Sequence, residues 1–281
     1  MKKIKMYHAE LPNMGDLLNV LLVKEYFGLE MKRHTPLTAQ LSGIGSGLGQ
    51  FTIPKNNLPL AVAERIIGAI LPTVHIWGTG FIEDKEWGDF YRKNMIFDAV
   101  RGELTKKKVE AILGHEIQTT LGDAGVLAPK LVKEGIEKQK KYKVSIIPHF
   151  KEQDHPIFKQ IADKFEGSHI IDLKDEPHQV IREIAQSEYI LSSSLHGLVV
   201  ADAFYIPNYH IVATDRLLGD GFKFDDYYSA YGLSHKCTHI LEEGIEMLSE
   251  EFVNTEYEVT KEMVDQTKIA MEKAFPFRNK L

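Results

Sequence analysis

The chain has 281 residues, 43% of them hydrophobic and 26% charged, an ordinary globular balance with length for about two domains. That composition excludes a disordered chain, a collagen and a disulfide-stapled miniprotein. The formal net charge, 34 − 40 = −6, gives no global reason to seek nucleic acid or an acidic membrane surface.

At the N-terminus, Met1-Lys2-Lys3 is basic, but Lys5, His8 and Glu10 break up the apolar residues after it, so no signal-peptide core is expected. No stretch approaches the roughly 20 apolar residues of a membrane span. The expected localisation is cytoplasmic. Ile4 to Tyr7 reads as a first strand, Leu11 to Asp16 as a turn, and Leu17 to Phe27 as a helix that Asn13 or Asp16 caps. Val74 to Trp77 and Met95 to Val100 read as strands, with a helix over Glu103 to Leu113. Lys130 to Lys143, rich in lysine, reads as the solvated face of a connecting helix and as the domain boundary. Beyond it, Lys143 to Pro148, His169 to Leu173, Tyr189 to Leu191 and Asn208 to Ala213 are strand-like. His155 to Phe165, Glu176 to Gln186 and Gly197 to Phe204 are helical between them, and Glu256 to Leu281 reads as a long polar helix. Such alternation predicts an α/β fold with a parallel sheet in each half.

The chemistry-bearing candidates lie where strands give way to helices. Gly43-Ile44-Gly45-Ser46-Gly47-Leu48-Gly49 fits neither register of G-x-G-x-x-G and lacks the P-loop ending, so it reads equally as a ligand-facing backbone or a tight structural loop. Asn13-x-Gly15-Asp16 after the first strand suits either a ligand beyond the strand's carboxyl end or simple helix capping. Ser192-Ser193-Ser194-Leu195-His196-Gly197 offers hydroxyls, a helix N-terminus and an imidazole, a set that suits phosphate or carboxylate and proton transfer. Arg101, opening a helix, can hold an anion with two parallel N–H bonds or pair with a nearby acid. His149 and Asp123 sit at corresponding strand ends. The histidines His115, His149, His155, His169 and His178 show no metal-ligand pairing and Cys237 is the lone cysteine, so no metal site is expected. G-x-S-x-G and nucleic-acid modules are absent.

Taken in order, Asn13-x-Gly15-Asp16, Trp77-Gly78-Thr79-Gly80-Phe81, Val100-Arg101-Gly102-x-x-Thr105, Leu121-Gly122-Asp123, Ile147-Pro148-His149, Ser193-x-x-His196-Gly197 and Lys223-Phe224-x-Asp226-Tyr227 resemble the polysaccharide pyruvyl transferase family. The resemblance implies a GT-B-like architecture of two Rossmann-like domains facing across a cleft: residues 1–138 on the acceptor side, 139–258 on the donor side, and 259–281 a helix packing back on the body. It implies transfer of pyruvate from phosphoenolpyruvate onto a sugar of a surface polysaccharide or lipid-linked precursor as a ketal, with no cofactor and no nucleic acid. By motif match His196 is the general acid or base and Arg101 the anion clamp. Asn13, Gly15 and Asp16 would meet the acceptor, while Gly80, Asp123, His149, Ser193, Ser194 and Lys223 would complete the substrate site. Where some members carry an arginine before the Leu-His pair, this chain has Ser194. Either Arg216 or Lys223 then supplies the missing cation, or the donor differs. A nucleotide-sugar glycosyltransferase and a non-catalytic glycan-binding protein are the alternatives. Homo-oligomerisation stays open.

Overall fold

The computed structural model describes residues 3–9, 13–53, 70–214, 219 and 221–278. Its named strands form two parallel sheets. The first contains β1 (Ile4–Tyr7), β2 (Met31–Arg33), β3 (Leu41–Ser42), β4 (Val74–Thr79), β5 (Met95–Val100) and β6 (Thr120–Leu121), in the order β2-β1-β3-β4-β5-β6. The second contains β7 (Tyr142–Ile147), β8 (His169–Ile170), β9 (Ser187–Ser192), β10 (Asn208–Val212) and β11 (Cys237–His239), in the order β11-β10-β9-β7-β8. The strands read as short apolar runs because helices cover the sheets. These helices are α1 (Met14–Leu21), α2 (Glu103–Leu113), α3 (Ile157–Lys164), α4 (Pro177–Ala185), α5 (Leu195–Ala203), α6 (Phe222–Ser229), α7 (Ile240–Glu243), α8 (Glu250–Glu256) and α9 (Lys261–Ala274). A π-helical turn, Leu22–Tyr26, prolongs α1. None of the described helices is long and apolar enough to cross a membrane.

Two helix expectations need correction. The lysine-rich connection is no continuous helix: 3-10 turns occupy Ala124–Leu131 and Ile136–Lys138. Gly135 takes φ +80, which ends any right-handed continuation through the connection. The tail helix is shorter than residues 256–281. It begins where Thr260 Oγ1 accepts from Met263 N at 3.2 Å, and it stops at Ala274 because Phe275 precedes Pro276.

The two sheets share one apolar cluster, which runs from Met14, Leu18 and Trp77 to Ile147, Leu198 and Val199. The backbone joins them too, since Met14 N donates to Leu173 O at 2.8 Å. Helix α9 returns to the first sheet: Trp77 Nε1 donates to Met271 O at 3.0 Å, and Phe275 stacks on Phe27 with centroids 3.7 Å apart.

The start of α2 is capped by another helix. Gly102 has no side chain to cap with, so Ser229 Oγ accepts from Glu103 N at 2.9 Å and Asp226 Oδ1 accepts from Thr105 N at 2.7 Å, both from α6. Only glycine permits this approach, because a Cβ on residue 102 would lie 1.6 Å from the Asp226 carbonyl oxygen. Gly102→Ala is therefore expected to cost about 3 kcal/mol, the upper end for an overpacked site. Thermal unfolding measures this, and an unchanged melting temperature would contradict the close packing of α6 on α2.

Candidate active site

Both sheets turn their carboxyl edges toward one cleft of about 270 Å³. The segment after β1 supplies Asn13 and, on α1, Asp16; the loops after β3 and β4 supply Ser46 and Ile82; those after β7 and β9 supply His149 and Ser194; α5 supplies His196 and α6 Lys223. Ligands of parallel α/β sheets bind at such edges. A larger hollow of about 770 Å³ opens around Phe90, Ile96 and Ile112, but it contains none of the candidate residues.

Helix α5 is buried around its whole circumference, and of its nine residues only His196 is not buried. That side chain is 15% exposed, on the cleft wall. Its Nε2 faces inward, 3.9 Å from Asp123 Oδ2, and neither atom has a hydrogen-bond partner among the described residues. The other Asp123 oxygen accepts from Gly125 N at 2.8 Å, which fixes the carboxylate behind the histidine. Gly15 lies against the other side of the ring with no Cβ to obstruct the second nitrogen: a Cβ there would sit 2.2 Å from His196 Nδ1. Burial, then the charges of Lys223 and Arg101, push the imidazole down to about 3, so it is neutral near pH 7. Burial drives Asp123 the other way, up to about 6, against the Gly125 amide and Arg101.

The three serines divide their work. Ser192 Oγ accepts from Ser194 N at 3.0 Å, and Ser193 Oγ accepts from His149 N at 2.8 Å while donating to Glu152 Oε2 at 2.9 Å. Ser193, expected at the substrate, is thus fully buried and occupied by the protein. Ser194 stands at the N-cap of α5 but makes no capping bond, and it lines the cleft together with the helix N-terminus. Glu152, a carboxylate 1% exposed, also accepts from Thr214 Oγ1. No sequence pattern singled it out, because it lies in the turn beyond His149 with no motif around it. His149 is pushed down to about 3 by burial, then by Lys223, Lys151 and His196.

On the facing wall Asn13 caps α1, its Oδ1 accepting from Asp16 N at 3.2 Å while its Nδ2 donates to Asp16 Oδ2 at 2.5 Å. Burial raises the Asp16 carboxyl, opposed by that bond and by His8 and Lys223. Lys223 is the cation between the walls. Its ammonium lies 5.1 Å from the Phe224 ring centroid and has no hydrogen-bond partner among the described residues. Burial and then Arg101 push it down to about 8, while Glu152 and Asp16 hold it up. Arg216, the other replacement for a cation at position 194, lies outside the described residues.

Arg101 and Gly80 do not reach the cleft. The Arg101 side chain is 0% exposed. Its Nε donates to Asp226 Oδ2 at 2.8 Å, Nη1 to Ser46 Oγ at 2.8 Å, and Nη2 to Phe81 O at 2.6 Å. The anion in the expected clamp is the protein's own Asp226. Gly80 is the backing of that pair, since a Cβ on it would lie 2.6 Å from Arg101 Nη2. The glycine-rich loop belongs to the same construction: Gly45 O accepts from Thr79 Oγ1 and Gly80 N, both at 3.0 Å.

Asp123 gives a stability test with a definite sign. Its carboxyl is raised from 3.8 to about 6 in the fold, so ionisation penalises the folded state above pH 6, and the penalty disappears as pH falls below 3.8. Asp123→Asn keeps a side-chain oxygen for Gly125 and removes the charge. By calorimetry it should be more stable than the parent by about 1–3 kcal/mol at pH 8, with the gap closing toward pH 4. A gap independent of pH would contradict the buried, unpaired carboxylate.

A family model described as polysaccharide pyruvyl transferase matches residues 72–215, which include Arg101, Asp123, His149 and His196. The succinoglycan biosynthesis protein ExoV of Rhizobium meliloti (strain 1021) is 30% identical over 225 residues, which make up 80% of this chain and 63% of that protein. No solved structure matches the chain. The matched segment contributes His149, Ser194 and His196 to the cleft, whereas Asn13, Asp16, Ser46 and Lys223 lie outside it, and the chain belongs to the polysaccharide pyruvyl transferase family.

Proposed function

We propose that this chain transfers pyruvate from phosphoenolpyruvate to a sugar of a polysaccharide or its lipid-linked precursor, forming a ketal across two hydroxyls. The observation that carries the reading is one cleft that holds a cation, an open helix N-terminus and a neutral histidine backed by a buried carboxylate. A small donor with a phosphate and a carboxylate suits that cleft. Lys223 and the first-turn amides of α5 receive its negative charge, with Lys223 standing in for the arginine that Ser194 replaces. The two sheets then act as the Rossmann-like halves of a GT-B-like architecture, 1–138 presenting the acceptor at Asn13 and Asp16 and 139–258 presenting the donor. Phosphoenolpyruvate is an intracellular metabolite, which places the reaction in the cytoplasm.

In the chemistry His196 starts neutral and takes the proton from the attacking sugar hydroxyl as oxygen bonds to the enol C2. The donor's charge in the cleft and ionised Asp123 behind the ring both favour the imidazolium. That imidazolium gives its proton to the methylene carbon, which becomes the methyl group. A second sugar hydroxyl then displaces phosphate from C2, its proton leaving with the phosphate. Arg101 takes no proton in this sequence. It positions α6, and through α6 Lys223.

Phosphate release from phosphoenolpyruvate, measured with a pool of free and lipid-linked oligosaccharides, tests the reading. His196→Asn should lower kcat by about 10²–10⁴ with an unchanged melting temperature. Release no faster than in that variant would overturn the proposal, and thermal stabilisation by UDP or GDP but not by phosphoenolpyruvate would favour the nucleotide-sugar alternative. The donor's kcat/KM should fall as pH rises through about 8, where free Lys223 loses its proton. Lys223→Gln should remove that fall and lower kcat/KM by about 10- to 100-fold at pH 7. An unchanged value would move the donor away from Lys223.

A further inference from the structure

Away from the cleft, the parallel pairing of β10 with β11 sets His210 opposite Cys237. The turn before β11 adds His235, whose Nε2 lies 2.8 Å from His210 Nδ1. One donor atom from each of His210, His235 and Cys237 falls within 4.8 Å of the other two. The rings are held in place: His210 stacks on Phe224 with centroids 3.7 Å apart, and His235 stacks on Tyr228 at 5.6 Å. His235 Nδ1 lies 2.9 Å from Asp225 Oδ1. A carboxylate accepts, so that nitrogen carries the proton and Nε2 turns its lone pair inward. This carboxylate–imidazole arrangement is the one that orients metal-ligating histidines elsewhere.

We propose that His210, His235 and Cys237 form a binding site for a zinc-class divalent cation, with Asp225 orienting His235. Two imidazoles and a thiol are the donor set of a borderline-soft ion, and calcium or magnesium would want oxygen. Zinc bonds of about 2.0–2.1 Å to nitrogen and about 2.3 Å to sulfur place neighbouring donors about 3.3–3.8 Å apart. The donors lie within 4.8 Å of one another, so on binding the thiol closes in by up to about an ångström while the two rings part by about half an ångström. On binding, the cation replaces the hydrogen bond between the imidazoles, the His210 proton moves from Nδ1 to Nε2, and the thiol proton leaves to solvent. A fourth position remains for water or a small ligand. The spacing of these three residues along the chain matches no metal signature, and the β10–β11 register is what assembles them. Because Asp225 lies between Phe224 and Asp226 on α6, the ion would also stiffen the helix that carries Lys223.

The test uses tag-free protein titrated with cobalt(II) and then zinc, read by absorption. The expected result is one equivalent of cobalt with intense tetrahedral d–d bands and a thiolate-to-cobalt charge-transfer band, all displaced by zinc. Cys237→Ser should lose the thiolate band, and Asp225→Asn should weaken binding by about 10- to 100-fold. No thiolate band in the parent protein, or the same spectrum and affinity in Cys237→Ser, would overturn the site. A second readout needs no variant. Cys237 is the chain's one cysteine and is half-buried, so its alkylation by iodoacetamide reports on it alone. Zinc should slow that reaction, and equal rates with and without zinc would refute coordination by the thiol.

Discussion

The buried pair Arg101–Asp226 is the constraint on which the rest of the site depends. Arg101 leaves the end of β5 and Asp226 lies on α6, and they meet with both side chains sealed from solvent. The arginine also holds Ser46 Oγ and Phe81 O, and the aspartate also accepts from Thr105 N and Thr105 Oγ1, each at 2.7 Å. These added bonds are what make such a burial tolerable, and losing one partner of a pair like this costs about 3–5 kcal/mol. The Arg-Gly-x-x-Thr pattern is thereby explained without a ligand. Arginine supplies the charge, glycine the clearance and threonine the extra donors that fasten α6 to the first sheet.

That fastening has a chemical consequence three residues earlier. Fixing Asp226 fixes Lys223, which comes to the cleft half-buried and pushed down to about 8. Under the proposed function, an acidic protein that handles an acidic donor has to concentrate positive charge locally, and Lys223 and the α5 N-terminus are what this cleft offers for it. The histidines beside them are held neutral, so the cleft stays free of surplus charge until a ligand brings its own. The orphaned contact between His196 and Asp123 belongs to the same design, two groups shifted in opposite directions and left facing each other.

Much of this was legible in the sequence, and what was missed has identifiable causes. Apolar runs and their spacing located most of the longer elements, because a strand buried on both faces and a helix covering it leave different periods. Strands of two or three residues, such as β3 and β6, leave no period to read. The helix expected over Lys130 to Lys143 failed at Gly135, where backbone conformation overrode a favourable charge pattern. His196, Asn13, Asp16, His149, Ser194 and Lys223 stood out by motif and meet in the cleft. Arg101 stood out equally and does not, because a sequence shows that an arginine wants an anion without showing that the anion is Asp226. The His210, His235 and Cys237 group was invisible for a related reason: strand register, not chain spacing, brings it together.

A crystal structure with phosphoenolpyruvate bound tests the central claim most directly. The donor's anionic groups are expected on Lys223 Nζ and the N-terminal amides of α5, with His196 beside the enol carbon and the Arg101–Asp226 pair intact. A donor carboxylate or phosphate seated on the Arg101 guanidinium, with Asp226 turned away, would contradict that claim.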